Sequence, residues 1–107
     1  KNKKAKHTFH YEMMKVQNDG KQMKCVWTFP PPNKTEKIFG KHPTQKPLAL
    51  LERCILSASN IGDLIFDPFM GSGTTGVAAL KHGRKFCGCE LEEDFFELAK
   101  KRLQQKL

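Results

Sequence analysis

The chain has 107 residues, of which 38% are hydrophobic and 28% charged, so it can bury the core of one small domain and no more. No apolar run approaches the roughly 20 residues that span a membrane, and the Lys-rich start lacks the apolar stretch of a secretory signal peptide. We therefore expect a soluble, cytoplasmic protein, and a start at Lys1 rather than Met favours a piece of a longer polypeptide.

The whole positive charge lies in the first part of the chain. Residues 1–46 contain 11 Lys or Arg and 3 Asp or Glu, a balance of +8, whereas residues 47–107 contain 8 of each kind. A concentrated basic segment is typical of a surface that faces phosphates. A solvated Lys-rich tail is the alternative that charge alone leaves open.

The first half of the chain predicts little regular structure. Residues 1–21 are polar and basic and end in the turn signal Asn-Asp-Gly at 18–20. Residues 24–29, Lys-Cys-Val-Trp-Thr-Phe, are rich in β-branched and aromatic side chains and predict a short strand. Three prolines follow at 30–32, and because proline lacks the N–H and fixes φ, we expect an extended connection from there to about Pro47.

The second half alternates between helical and strand patterns. Leucine and isoleucine recur at helical spacing after Pro47, and residues 60–63 end that helix. The apolar run 64–66 and the segment 85–90 predict two buried parallel strands. Two further helices are predicted. One runs from Thr74 to His82 with Gly83 as its C-cap. The other runs from about Glu92 to the end of the chain, and its apolar face holds Phe96, Ala99, Leu103 and Leu107.

The resulting order α-β-α-β-α is the pattern of an α/β protein with a parallel, doubly wound sheet. Parallel sheets are normally covered on both faces and hold about five strands. Two strands make a poor closed domain, so we expect strands from elsewhere or half of a split fold.

The four cysteines, at positions 25, 54, 87 and 89, do not form the C-x2-C pair of a zinc site. We predict that all four are small buried hydrophobes in a reducing cytosol, and that no metal is bound.

The first candidate site is a glycine turn at residues 67–76, Asp-Pro-Phe-Met-Gly-Ser-Gly-Thr-Thr-Gly, which joins a predicted strand to a helix. Its glycines fit G-x-G-x-x-G, and the open N–H groups of the helix start favour an anion. Glu90 ends the next strand, where a carboxylate can accept hydrogen bonds from ribose hydroxyls. Taken alone, the glycines fit a simple tight turn and Glu90 an ordinary exposed acid. A P-loop is excluded, because no Gly-Lys-Ser/Thr follows.

The second candidate is the segment 41–47, Lys-His-Pro-Thr-Gln-Lys-Pro. Its threonine hydroxyl and second lysine ammonium are suited to a carboxylate. On physical grounds alone, the segment also fits a stiff start to the helix that follows.

Together, in order and spacing, segments 41–47, 67–75 and 88–90 resemble the beta-class amino-methyltransferases of prokaryotic restriction–modification systems. The resemblance covers roughly residues 36–107. It implies a Rossmann-like S-adenosylmethionine-dependent methyltransferase fold and transfer of a methyl group to adenine N6 or cytosine N4 in DNA; overall likeness favours adenine. The Asp-Pro-Phe before the glycines is not part of the NAD pattern, which favours S-adenosylmethionine over a dinucleotide.

The resemblance also implies roles for individual residues. Residues 36–107 would be the S-adenosylmethionine-binding part of the methyltransferase domain, and residues 1–35 the basic tail of the target-recognition region. Three lysines would contact DNA phosphates: Lys34, Lys37 and Lys41. The cofactor site would be lined by Asp67, Phe69, Gly71 and Gly73; Thr44 and Lys46, with Thr74 and Thr75, would meet the methionine carboxylate; Glu90 would bind the ribose hydroxyls and Leu91 would pack on the adenine.

One part of the family pattern is missing. The catalytic motif, Asp/Asn/Ser-Pro-Pro followed by an aromatic residue, holds the amine of a flipped base, and it does not occur in this chain. The segment 29–33 is superficially similar, but Phe29 and Pro30 offer no side-chain acceptor and Asn33 replaces the aromatic residue. We therefore name no catalytic residue and expect the isolated chain to be inactive.

The expected partners are double-stranded DNA and the missing N-terminal catalytic part of the same enzyme, and since the family often pairs, a homodimer is a further expectation. Two other readings stay open: a non-catalytic or truncated module that completes another chain's fold, and an RNA or protein methyltransferase.

Overall fold

The computed structural model describes residues 6–37, 40 and 45–105. Its elements in chain order are the helix α1 (Tyr11–Gln17), a 3₁₀ turn (Lys34–Lys37), the helix α2 (Leu48–Ala58), the strand β1 (Leu64–Asp67), the helix α3 (Thr74–Lys81), the strand β2 (Lys85–Gly88) and the helix α4 (Glu93–Gln104). The predicted order α-β-α-β-α from α2 onward is confirmed. Among the described residues, no helix has both the length and the apolar character needed to cross a membrane.

The two strands form one parallel sheet. Leu64 pairs with Lys85 at one end, and Asp67 pairs with Gly88 at the other. Because the strands are parallel and in register, both strands end at the same edge of the sheet, the one formed by their carboxyl ends. This carboxyl-terminal edge is called the sheet edge below. The loops that follow β1 and β2 are therefore neighbours.

The core lies between α2, α3 and one face of this sheet. It is centred on Ile55, Ala78 and Ala79, with Ile65 and Phe86 packed against it from the strands. The two alanines are fully buried, and their small side chains let α3 lie close to both α2 and the sheet. This packing fixes where α3 begins, which is at the glycine turn.

The other face of the sheet is exposed. Leu64 and Phe66 are 64% and 59% exposed, although Ile65 between them is partly covered. The prediction of two buried strands is therefore wrong for every second residue of each strand, because those side chains are exposed. Successive strand residues point to opposite faces, and the helices of the described chain cover only the face that holds Ile65 and Phe86.

The cysteine prediction is wrong: all four cysteines are exposed. Cys87 lies on the uncovered sheet face, opposite Phe66 in the strand register. Its apolar neighbours suggested burial, but burial in a strand depends on what covers that face.

The predicted strand at 24–29 does not form. Strand propensity needs a partner strand, and this segment has none among the described residues. Its aromatic rings pack on a cation instead: the Arg53 guanidinium lies 5.3 Å from the Trp27 ring centroid and 4.6 Å from that of Phe29.

The short helix α1 was not predicted, since residues 1–21 are mostly polar. It is held against the end of α2 by fully buried Met14 and by His10, whose backbone N–H donates to Ser57 O at 2.8 Å. The expected extended connection from residue 30 to Pro47 also contains the 3₁₀ turn Lys34–Lys37.

The helix α4 begins within a residue of its predicted start, and its predicted apolar face is confirmed in part. Ala99 is fully buried and Leu103 is half-buried, whereas Phe96 is exposed and Leu107 lies outside the described residues. The burial of Leu98 and Arg102 was not predicted. The α3 C-cap is His82 rather than Gly83, which follows it at φ 77°.

A buried arginine closes the junction between α3 and β2. Arg84 donates from Nε to Ser59 Oγ at 2.9 Å, from Nη2 to Ser59 O at 2.7 Å, and from Nη1 to His82 O at 2.7 Å. These bonds lie at the amino-terminal end of the strands, opposite to the edge where the candidate site residues are found.

Candidate functional site

The loops after β1 and β2 are joined by backbone hydrogen bonds at one sheet edge. Cys89 N donates to Asp67 O at 3.1 Å, and Met70 N donates to Cys89 O at 3.0 Å. The strand register dictates this meeting, because Asp67 and Gly88 are the last paired residues. The glycine turn and the loop that holds Glu90, which are separate in sequence, therefore lie side by side.

The glycine turn uses backbone conformations that favour glycine. Gly71 has φ 53° and Gly73 has φ 81°, both in the left-handed region. Gly73 is the N-cap of α3 and lies against α4, where a Cβ on it would come within 3.0 Å of the Ala99 Cβ. The turn thus requires glycine at 73 for conformation and for space.

Asp67 holds the turn from the strand side. Its Oδ1 accepts a hydrogen bond from Phe69 N at 3.0 Å, and its Oδ2 accepts one from Thr75 Oγ1 at 2.8 Å. The carboxylate therefore links the end of β1 to the first turn of α3. Negative charge at that helix start is favourable, because the helix dipole is positive there.

A cavity of about 150 Å³ opens above the start of α3. Its lining residues are Gln45, Lys46, Leu51, Asp67, Phe69, Met70, Gly71, Ser72, Thr74 and Thr75. Lys46 is exposed, and no side-chain cap hydrogen bond closes the start of α3 among the described residues. Because the first N–H groups of a helix have no partner within it, this cavity is suited to an anionic group such as a carboxylate.

A second cavity of about 220 Å³ follows the end of β2 and is lined by Pro68, Phe69, Cys89, Glu90 and Leu91. Phe69 and Leu91 are large apolar side chains that are 87% and 100% exposed, so they provide walls for a flat apolar group. Glu90 accepts a hydrogen bond from Glu92 N at 2.9 Å, and a carboxylate has capacity for several more. The two cavities share Phe69 as a lining residue, so they adjoin at that side chain.

The structure brings together most of the residues that the sequence singled out. Eight of them line one or both cavities: Lys46, Asp67, Phe69, Gly71, Thr74, Thr75, Glu90 and Leu91. Gly73 lies buried beneath the turn, and Thr44 and Lys41 lie outside the described residues.

The two described lysines proposed for DNA, Lys34 and Lys37, lie on the 3₁₀ turn rather than in a cavity. Glu36 on the same turn anchors it: Leu48 N donates to Glu36 Oε1 at 2.6 Å, and Gln45 Nε2 donates to Glu36 O at 2.8 Å. The basic turn is thereby attached to the start of α2 beside the first cavity.

Sequence reasoning missed Arg102, which holds the glycine turn from α4. Its Nη1 donates to Ser72 O at 2.8 Å, to Ser72 Oγ at 2.9 Å and to Thr74 Oγ1 at 2.9 Å. Burial lowers the pKa of Arg102 and the negative charge of Glu36 raises it in part, but a guanidinium stays protonated at neutral pH. The sequence feature that could have identified Arg102 is its position three residues after Ala99, which places it on the same helix face.

A third cavity, of about 280 Å³, lies in the N-terminal part of the chain. Its walls come from α1 and from residues 22–27, and include the rings of Phe9, Tyr11 and Trp27. None of its lining residues carries a carboxylate, and the helix that begins there, α1, has only seven residues, so it does not share the chemistry of the two cavities at the sheet edge.

Comparisons with known proteins agree with this geometry. The DNA methylase family model, of N6/N4 methyltransferases, matches residues 1–101. The type II methyltransferase M2.DpnII of Streptococcus pneumoniae is 56% identical over 102 residues, which are 95% of this chain and 38% of that protein. M2.LlaDCHI of Lactococcus lactis subsp. cremoris is 55% identical over 103 residues, with 96% of this chain and 38% of that protein covered. The chain therefore spans 38% of the length of these curated relatives.

Solved structures share the fold. The crystal structure of the M1.HpyAVI–SAM complex superposes with a TM-score of 0.73 at 41% identity, covering 97% of this chain and 47% of that one. The cytosine-N4-specific PvuII DNA methyltransferase superposes with a TM-score of 0.58 at 30% identity, covering 64% of this chain and 24% of that one. The α/β elements described above are thus part of a Rossmann-like methyltransferase fold, and the chain belongs to the DNA methylase family.

Proposed function

We propose that this chain forms the S-adenosylmethionine site of a site-specific DNA methyltransferase, which transfers a methyl group to an exocyclic amine of a flipped base. The observation that carries the proposal is the pair of adjoining cavities at one sheet edge, with an anion-binding helix start in one and a carboxylate between apolar walls in the other. Overall resemblance to the family favours adenine N6 as the target.

The two cavities match the two ends of the cofactor. The adenosine end would lie in the second cavity, where Glu90 would accept hydrogen bonds from the ribose hydroxyls and Leu91 and Phe69 would contact the adenine. The methionine end would lie in the first cavity, where the carboxylate would face the start of α3. The residues proposed for that carboxylate are Thr44, Lys46, Thr74 and Thr75. Thr75 would offer its backbone N–H, because its hydroxyl donates to Asp67.

A buried polar atom supports this fit. Gln45 lines the first cavity, and its Oε1 is buried without a hydrogen-bond partner in the described part of the chain. An unsatisfied buried acceptor costs about 1–3 kcal/mol, so it favours a ligand that brings a donor. The methionine ammonium is such a donor, and it is attached to the same carbon as the carboxylate.

The chemistry divides between this chain and further polypeptide. S-adenosylmethionine, when bound, supplies an activated methyl group, and the residues of this chain hold it in one orientation, which contributes through proximity. The Pro-Pro-aromatic motif that holds the target base would come from additional sequence. The uncovered sheet face with Leu64 and Phe66 is a surface on which such sequence would pack.

Double-stranded DNA is the proposed macromolecular partner. Lys34, Lys37 and Lys41 would contact its phosphates beside the cofactor site, and the positive balance of the first 46 residues supports this assignment. A homodimer is also proposed, on the ground that both strands of the two-stranded sheet have an unpaired edge among the described residues.

The cofactor part of the proposal is tested by exchanging this chain for the matching segment of a relative. The 102 matched residues of the Streptococcus pneumoniae relative are replaced by this chain, and the chimera is assayed for transfer of a labelled methyl group to DNA. We expect transfer by the chimera and loss of transfer in its Gly73→Leu variant. A folded chimera that binds DNA but transfers no methyl group would contradict the proposal.

The target base is tested with the complete gene product that includes this chain. It is expressed in a host without DNA methylation, and the host DNA is digested and examined by mass spectrometry. N6-methyladenine is the expected product. N4-methylcytosine would overturn the adenine assignment alone, and the absence of both methylated bases would support a non-catalytic module.

A further inference from the structure

The start of the proposed methionine subsite is held in place by a charged side chain that lies behind it. We infer that Arg102 is a positioning residue: it fixes the segment 72–74 so that the start of α3 presents its N–H groups to the methionine carboxylate. The inference rests on the proposed function, because it concerns the same site.

All three acceptors face one nitrogen atom, whose two N–H groups they share. Arg102 Nη1 donates to the backbone and side-chain oxygens of Ser72 and to Thr74 Oγ1, at 2.8–2.9 Å. The residue is only 5% exposed, and arginine is rarely buried unless its charge is well satisfied. Charge-assisted bonds of this length are among the stronger hydrogen bonds in proteins.

These acceptors lie on either side of Gly73. That glycine is the N-cap of α3 and lies against Ala99. Ala99 precedes Arg102 by three residues on α4, so the two side chains share one face of that helix. One face of α4 therefore supports the turn twice, through the Ala99 contact and through the Arg102 bonds. Glycine backbones are otherwise free to adopt many conformations, so the turn needs such support.

Arg102 does not line either of the two cavities at the sheet edge. Its effect on a ligand must therefore pass through Ser72 and Thr74, which do line the first cavity. Without the guanidinium, the Ser72 and Thr74 oxygens lose their buried donor and the turn gains freedom. A ligand would then have to order the turn as it binds, which weakens binding.

This role predicts a difference between two ligands. S-adenosylhomocysteine has both an adenosine end and an amino-acid end, whereas 5′-methylthioadenosine lacks the amino acid. Loss of the Arg102 bonds should weaken the first ligand and leave the second nearly unchanged, because Glu90 and Leu91 belong to the other cavity. General loss of stability would weaken both ligands alike.

Arg84 provides the matched control. It is also a buried arginine with three hydrogen bonds, but these hold Ser59 and His82 at the opposite end of the strands. Arg84→Lys removes a comparable buried network and should lower the melting temperature without a selective effect on either ligand.

The experiment measures both ligands by calorimetry on the chimera described above, in which this chain replaces the matched residues of the Streptococcus pneumoniae relative, and on its Arg102→Lys, Arg102→Met and Arg84→Lys variants, each shown to be folded at the titration temperature. Ser72→Ala, which removes one acceptor of the same network, replaces Arg102→Met if that variant does not fold. We expect Arg102→Met to raise the Kd for S-adenosylhomocysteine about tenfold, or about 1.4 kcal/mol, with Arg102→Lys in between.

The Kd for 5′-methylthioadenosine should change less than about twofold in every variant, which is under about 0.5 kcal/mol. If Arg102 variants weaken both ligands equally, or behave like Arg84→Lys, the inference is overturned and the proposed function stands. If the folded, unaltered chimera binds neither ligand, the proposed cofactor site itself fails, and the inference fails with it.

Discussion

Replacing Gly73 by alanine tests whether the glycine turn needs both its backbone conformation and its close approach to α4. Gly20 offers a control with nearly the same φ, which is 80° against 81° for Gly73. A Cβ at Gly20 would meet nothing within 4 Å, whereas one at Gly73 would come within 3.0 Å of the Ala99 Cβ and 3.3 Å of its Cα. The pair therefore separates conformational strain from steric contact.

The magnitudes follow from these two terms. A left-handed conformation costs an L-residue about 1–2 kcal/mol, and the alanine recovers about 0.4–1 kcal/mol by restricting the unfolded chain. Gly20→Ala should thus destabilise by about 0–1.6 kcal/mol. Gly73→Ala adds a contact with backbone that cannot easily move, and overpacking of this kind costs about 1–3 kcal/mol more, so this variant should be less stable than Gly20→Ala by about that difference.

The assay is urea unfolding of both variants, followed by titration with S-adenosylhomocysteine. We expect a larger drop in the midpoint for Gly73→Ala with an unchanged slope, and weaker ligand binding in that variant alone. Equal free energies of unfolding for the two variants would refute the steric argument. Unchanged ligand affinity in a folded Gly73→Ala variant would refute the link between the turn and the cofactor.

Two further predictions concern charges. Burial tends to raise the pKa of Glu52, but its hydrogen bonds with His82 at 3.0 Å and Lys81 at 3.1 Å hold the pKa below the ordinary value of 4.5. The stabilisation from Glu52 is therefore fully present above that value and is lost as the pH falls through the lower, folded value. Urea unfolding should show Glu52→Gln less stable than the unaltered chain by up to about 1 kcal/mol at pH 6, with the difference shrinking by pH 3; a constant difference would contradict this assignment. For Lys34→Ala combined with Lys37→Ala, the salt dependence of DNA binding by the complete protein should become shallower by about 2 in log–log slope, as measured by fluorescence anisotropy. An unchanged slope would show that these two lysines do not contact phosphates.

The sequence was sufficient to predict the parts of the fold that depend on local signals. Periodic leucines and alanines identified α2 and α3, and the glycine turn was located because left-handed conformations favour glycine. Glu90 was located because a polar residue directly after an apolar run marks a strand end. These features need no knowledge of which segments are neighbours.

Features that depend on distant neighbours were not predictable. The apolar run at 64–66 looked the same whether one or both sheet faces were covered, so the exposure of Leu64 and Phe66 was missed. Residues 24–29 have strand propensity, but propensity without a partner strand does not produce a sheet. Arg102 lies in the last turn of α4, where a cation complements the helix dipole without any tertiary contact, and only the structure shows its bonds to the glycine turn.

A calorimetric titration of the chain with S-adenosylhomocysteine decides whether the two cavities form a cofactor site, with NAD as the ligand control and Glu90→Ala as the variant control. We expect saturable binding of one S-adenosylhomocysteine per chain, no binding of NAD, and loss of affinity in the variant. Absence of saturable binding by a chain shown to be folded, or equal binding of NAD, would contradict the claim that these two cavities form an S-adenosylmethionine site.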